Sequence, residues 1–263
     1  MKSPISYYGG KATLAKLIVE RFPKDYQQMT YAELFFGGGS VFFEKQPSVL
    51  EVLNDTNREL INFYQVMKND FVSLEKEVRI SLHSRRMFSD AKVIYNNPHM
   101  FSDVKRAWAV WATANQGFSS MLDASWGYDR SKNTMAKKLK NKRESFTEDY
   151  AIRLQDVTLE CTDALRIIRS RDSKNTFFYA DPPYFNSDCG HYDGYTEDDF
   201  KALLTAFEGM EGKFMLSSYP SPVLSAFIAK NGWKSEQFSM KLAVTGIGKK
   251  PKKDKVEVIT YNY

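Results

Sequence analysis

Cysteine is nearly missing from this chain. Its 263 residues hold two, Cys161 and Cys189, and no Cys-x-x-Cys pair. That excludes a disulfide framework and a zinc ribbon. Histidine is equally sparse: His83, His99 and His191 are scattered and suggest neither a catalytic triad nor a metal site. No apolar run approaches the roughly 18 residues that span a bilayer. No apolar signal core follows the lysine of the opening MKSPISYYGGK. Nor does one sign of charge dominate. A net charge of +5 and a pI near 8.9 suit a polyanionic partner but fall well short of a histone or ribosomal protein. These absences predict a reduced, cytoplasmic setting, with neither a membrane nor a metal as partner.

What is present argues for a packed α/β protein. Hydrophobic residues make up 43% of the chain and aromatics 14%, too many for a disordered chain. Leu14, Leu17, Ile18 and Phe22 keep helical spacing over 11–22, and Pro23 ends that helix. A strand over 31–35 then runs into Gly37-Gly38-Gly39-Ser40, and a helix opens at Val41. A second strand over 49–53 and a helix over 57–68 follow. This β-loop-α-β-α order begins a doubly wound sheet. The alternation lapses over 70–150, where the pattern predicts one helix, over 101–114, and then a polar segment. It resumes with strands over 157–161, 176–180 and 213–217, helices over 164–169, 197–208 and 222–231, and two terminal strands, over 233–240 and 256–261.

The sharpest motif is Asp181-Pro182-Pro183-Tyr184, directly after the apolar strand 176–180. An amino nitrogen conjugated to a ring, as in adenine, is a poor nucleophile. A carboxylate and a backbone carbonyl that both accept hydrogen bonds from it favour a more tetrahedral nitrogen with a directed lone pair. Asp181 supplies the carboxylate and Pro182 the carbonyl. Two prolines stiffen the turn, and Tyr184 offers a ring face to a base. The plain alternative is a rigid turn with a packed tyrosine. Position decides against it, because ligands bind beyond the carboxyl ends of such strands.

Phe35 to Ser40 is the second motif. Gly37 and Gly39 let backbone approach a ligand, and the helix that follows adds its dipole. Asp55 ends the next strand, 18 residues after Gly37. It can accept from the ribose hydroxyls of an adenosyl cofactor or cap the following helix. Asp163 stands in the same relation to its own strand and can accept from the cofactor's adenine amino group or cap a helix. Tyr7-Tyr8-Gly9-Gly10-Lys11 adds a cation to offset a carboxylate and a ring to face a sulfonium.

In this order, these elements resemble the Dam-like family of adenine-specific DNA methyltransferases. The matching pieces are Tyr7 to Lys11, Phe35 to Ser40, Asn54-Asp55, Asp163 and Asp181 to Tyr184. The cofactor motif precedes an insert and then D-P-P-Y, which is that family's alpha arrangement. The resemblance implies a Rossmann-like S-adenosylmethionine-dependent methyltransferase sheet over 1–68 and 150–263. It also implies a mainly helical target-recognition insert over 69–149. It further implies S-adenosylmethionine as cofactor, double-stranded DNA as partner, a flipped adenine, and a monomeric cytoplasmic enzyme of a prokaryote or phage. Tyr7, Lys11, Phe35, Asp55, Asp163 and Asp181 are then expected to line the cofactor pocket.

Within the insert, Asn115, Ser119, Ser120 and Asp123 are candidate base readers. Lys137, Lys138, Lys140, Lys142 and Arg143 are candidate phosphate contacts, or a solvated charged loop. Lys249, Lys250, Lys252, Lys253 and Lys255 form a second basic run. The cysteines lack the Pro-Cys context of a cytosine-C5 nucleophile. Cytosine-N4 methylation is set lower because such enzymes more often carry serine where Asp181 stands. RNA adenine or protein glutamine methylation favours asparagine there. A non-catalytic nucleic-acid-binding subunit is the remaining alternative, and the intact motifs speak against it.

Overall fold

The computed structural model describes residues 1–186, 194–240 and 255–263. Cys189, His191, Lys249, Lys250, Lys252 and Lys253 lie outside them, as does the side chain of Lys255. The chain opens with α1 (Ala15–Val19), β1 (Thr30–Glu33), α2 (Ser40–Glu44), β2 (Leu50–Asn54) and α3 (Arg58–Asn69). Then come α4 (Phe71–Arg79), α5 (Arg85–Asn96), α6 (Asp103–Gln116), α7 (Thr134–Glu144) and α8 (Asp149–Leu154). The remainder is β3 (Val157–Glu160), α9 (Ala164–Arg171), β4 (Thr176–Ala180), α10 (Glu197–Glu208), β5 (Lys213–Ser218), α11 (Pro222–Asn231), β6 (Lys234–Met240) and β7 (Lys255–Tyr261).

The seven strands form one sheet in the order β3-β2-β1-β4-β5-β7-β6. The first five run parallel, and β7 enters antiparallel between β5 and β6. Strand period decides which side chain goes where. Tyr31, Leu53, Phe177, Tyr179 and Met215 face one way, into a core with α1 to α8. Ala32, Val52, Phe178, Ala180 and Phe214 face the other, against α9, α10 and α11. Both faces are covered, which is why β4 reads as an unbroken apolar run. Trp108 and Trp111 of α6, Ala91 of α5 and Leu139 of α7 belong to the first core. Residues 69–149 thus add a buried apolar face that is continuous with the sheet's core.

Beyond the one helix expected over 101–114, residues 70–150 also form α4, α5 and α7, and two segments differ in ways that bear on the site. The first helix is shorter than 11–22, spanning Ala15–Val19. Beyond it, Arg21 N–H turns back on the Ile18 carbonyl at 3.0 Å, a tighter turn before Pro23. The basic run over 137–143, expected in a loop, is the helix α7. Its N–H groups at Thr134 and Met135 donate to Asp129, at 2.9 and 2.6 Å. Leu139 is its one buried residue, so no apolar stripe announces it. No helix among the described residues is long and apolar enough to cross a membrane.

Candidate active site

β1 and β4 are neighbours in register, Glu33 beside Tyr179. Their carboxyl ends release the two sharpest motifs side by side, at the switch point of the strand order. Between them lies a cavity of about 380 Å³. Tyr7, Lys11, Phe35, Gly37, Gly39, Ser40, Asp55, Asp181, Pro182 and Tyr184 all line it.

The glycine turn is closed by packing. Gly37 and Gly39 hold φ of +50° and +68°, where a side chain is strained. A Cβ on Gly38 would lie 2.7 Å from the Tyr7 Cβ, and one on Gly39 2.7 Å from the Phe36 ring. Asp55 fixes the turn from the next strand: its carboxylate accepts from Gly37 N–H and Asn57 N–H, each at 2.9 Å. Burial pushes its carboxyl above the usual range against the pull of those two donors. Asp55 is not the helix cap. Asn57 caps α3, accepting from Glu59 N–H and Leu60 N–H. Asp163 does the reverse. It caps α9 through Leu165 N–H at 2.9 Å, is exposed, and is not among the residues lining the cavity.

Asp181 stands in a cluster of charges. The Lys11 ammonium is 2.7 Å from its Oδ1 and 3.2 Å from Oε1 of Glu257 on β7. The Tyr184 hydroxyl lies 3.0 Å from the same Asp181 oxygen and also bonds Glu257 Oε1. Lys11 gives its remaining hydrogen to the Gly9 carbonyl at 3.2 Å. All three donors of Lys11 are therefore used within the chain, at the wall of the cavity. Burial alone would lower the Lys11 ammonium, but Asp181 and Glu257 outweigh it and hold it above its ordinary value. Burial raises Glu257 against the pull of Lys11. Glu33, buried at the end of β1, accepts from the Tyr31 hydroxyl at 2.7 Å, and burial pushes its carboxyl up to about 8. The Tyr184 ring packs on Tyr219 with centroids 4.3 Å apart.

Glu33, Tyr219 and Glu257 escaped the sequence reading. Glu33 ends a strand immediately before the glycine motif, and that position was its signal. Glu257 is a lone acid in Val256-Glu257-Val258 and becomes visible only when β7 closes against β5.

The insert residues part company. Asn115 is buried, accepts from Ser6 N–H and donates to the Trp111 carbonyl, both at 3.0 Å. It braces the N-terminal loop and has no free edge for a base, which corrects its reading as a base reader. Ser119 and Asp123 are exposed. Ser119 and Ser120 hold φ of +55° and +61°, and the Ser120 carbonyl accepts from Tyr8 N–H at 3.1 Å. On α7, Lys137 and Lys138 line a groove with Lys2, Lys132 and Lys142. Lys140 points elsewhere and pairs with Glu144 at 3.6 Å. Lys142 donates to the Ser3 carbonyl, and burial with Lys138 and Lys2 nearby pulls its ammonium down to about 8. Arg143 donates to the Ser81 carbonyl at 2.9 Å. Exposed Arg85 lies over the rings of Trp126 and Tyr128, 4.7 and 5.6 Å from their centroids. Among the described residues no group of three or more His, Cys, Asp or Glu is arranged to hold a metal ion.

Strand order, the cavity at the switch point and the two motifs that line it define a Rossmann-like methyltransferase. Residues 7–237 match the D12 class N6 adenine-specific DNA methyltransferases, and the chain belongs to that family. It is an enzyme of adenine-N6 methylation in DNA. Among curated proteins it is similar to the Type II methyltransferase M1.LlaDCHI of Lactococcus lactis subsp. cremoris. They are 26% identical over 241 residues, covering 82% of this chain and 80% of that one. The Type II methyltransferase M.MjaIII of Methanocaldococcus jannaschii is 26% identical, over 76% of this chain and 75% of its own. M.FokI of Planomicrobium okeanokoites is 24% identical over 74% of this chain, but that spans only 30% of M.FokI.

Proposed function

We propose that the chain transfers a methyl group from S-adenosylmethionine to one adenine, flipped out of duplex DNA at a specific sequence. One juxtaposition carries this reading: Asp181, Pro182 and Tyr184 open onto the same cavity as the glycine turn and Asp55. The residues fit the cofactor. The turn is already packed down to bare backbone at Gly38, and Asp55 keeps a half-buried carboxylate beside it. The cavity also falls in the size range of small-molecule sites. Tyr7, Phe35, Gly37, Gly39 and Ser40 would hold the cofactor, with Asp55 on its ribose hydroxyls. When bound, it supplies the electrophilic methyl group. Asp181 Oδ2 and the Pro182 carbonyl accept the two amino hydrogens of adenine and turn the nitrogen lone pair toward the cofactor. Tyr184 and Tyr219 present ring faces to the base. Positioning carries most of the rate.

Residues 69–149 are proposed as the target-recognition region. Lys2, Lys132, Lys137, Lys138 and Lys142 contact DNA phosphates, and Arg85, Ser119 and Asp123 reach toward the bases. The Type II relatives support a site-specific enzyme. Mass spectrometry of nucleosides tests the whole. Unmethylated duplex DNA is incubated with S-adenosylmethionine and either wild type or Asp181→Ala. N6-methyladenine from the wild type alone is expected. N4-methylcytosine would reassign the base, and no methylated base on varied sequences would overturn the proposal.

A further inference from the structure

Glu257 belongs to none of the motifs, yet it completes the charge cluster. It is 2% exposed and sits on an inner strand, with Val258 paired to Ser218 of β5 and Glu257 itself to Phe238 of β6. A side chain on so fixed a strand holds its partners closely. Two donors, the Lys11 ammonium and the Tyr184 hydroxyl, are each shared between Asp181 Oδ1 and Glu257 Oε1.

In that arrangement Asp181 has only Oδ2 open to an amino group, and its charge is drawn toward Lys11. An acceptor for an amino group needs free lone pairs and undiminished charge, and here an ammonium and a phenol crowd one of its oxygens. Drawing Lys11 away with nothing to receive it would strand a buried cation, which is costly. Glu257 already touches both donors.

We infer that Glu257 is a positioning residue that takes up Lys11 and Tyr184 when adenine arrives, so that Asp181 turns to the amino group while the ammonium stays paired. The inference rests on the role proposed above for Asp181. No proton or bond is exchanged; Lys11 keeps Gly9 and Glu257 as acceptors and gives up one of three. Neutralising Glu257 leaves Lys11 on Asp181.

The test is steady-state kinetics of the full chain on duplex DNA. The variants are Glu257→Gln, Glu257→Asp, Lys11→Met, and Glu257→Gln with Lys11→Met. Glu257→Gln still accepts hydrogen bonds from Tyr184 and Lys11 but offers the ammonium no compensating charge. It should lower kcat about 10- to 100-fold and change KM for DNA less than about threefold. Glu257→Asp should recover part of the loss. Added to Lys11→Met, Glu257→Gln should cost less than about twofold more, because no cation remains to be drawn off. A kcat for Glu257→Gln within about twofold of wild type, or losses that multiply in the double variant, would overturn the inference. Melting curves identify a variant that has lost its fold; Glu257→Asp then carries the comparison, and a full-rate Glu257→Asp with unchanged KM would count against it. Asp181→Ala is run beside these. If Asp181→Ala turns over like wild type, the reading of the site fails. If it is dead while Glu257→Gln is unimpaired, only the inference fails.

Discussion

The cavity mouth and the lysine groove treat charge in opposite ways. At the mouth, the one ammonium of Lys11 is paired with both Asp181 and Glu257 within 3.2 Å. In the groove, Lys2, Lys132, Lys137, Lys138 and Lys142 crowd together, and among the described residues no acidic one lines it. The difference follows from where the compensating charge comes from. A buried cation must find its anion within the fold. A groove open to water can wait for phosphate, and the counterions released then favour binding. On the proposed reading, the mouth works by rearranging charges and the groove by offering charges left unpaired.

Breaking the mouth should produce the largest effect. Asp181→Ala should lower the yield of N6-methyladenine by about 10²- to 10⁴-fold with little change in melting temperature. A rate near wild type would remove Asp181 from the chemistry. Asp55→Ala should weaken S-adenosylmethionine by roughly 10- to 100-fold in calorimetry, the loss of hydrogen bonds to one half-buried carboxylate. Unchanged affinity would end its ribose role. The groove is sharpened by a contrast within α7. Lys137→Gln, Lys138→Gln and Lys142→Gln together should reduce the salt slope of DNA binding by about 2 to 3. Lys140→Gln, whose lysine pairs with Glu144 outside the groove, should leave the slope alone. Equal effects from both would dissolve the distinction.

The smallest effect tests the floor of the mouth. Glu33, raised to about 8, stays protonated in the fold and ionises in the unfolded chain above its ordinary 4.5. The unfolded state binds fewer protons in that window, so stability falls as pH rises from about 4.5 to about 8 and is level above. Glu33→Gln, which has no charge to lose, should match wild type near pH 4.5 and melt a few degrees higher above pH 8, by about 2 to 4 °C per kcal/mol. Parallel melting curves across that range would show that Glu33 titrates normally.

How much could be read from the sequence depended on whether function lay in a local pattern. β4 and Asp181-Pro182-Pro183-Tyr184 announced themselves because a buried strand and a rigid turn are contiguous. The glycine turn and Asp55 were legible through their βα spacing. Asp55 and Asp163 looked alike in sequence; only the structure separates them, since Asn57 relieves Asp55 of capping while Asp163 caps α9 itself. Glu257 was invisible because its partners are 73 and 246 residues away along the chain, Tyr184 and Lys11. Asn115 misled because a polar residue near a presumed recognition loop looks exposed, whereas a backbone N–H from Ser6 satisfies it in the core. The helix α7 was hidden by lysines that leave one apolar residue on its buried side.

Anyone wishing to give this enzyme a new target sequence meets the tie between the N-terminal loop and the insert. Ser6 N–H and Tyr8 N–H end on Asn115 and Ser120, on either side of Tyr7, whose ring closes the glycine turn. Residues 69–149 are therefore no interchangeable cassette. Grafting a foreign insert would loosen the wall of the cavity between β1 and β4 unless residues 6–8 travelled with it. Altered specificity is better sought by changing single exposed side chains than by transplanting the whole segment.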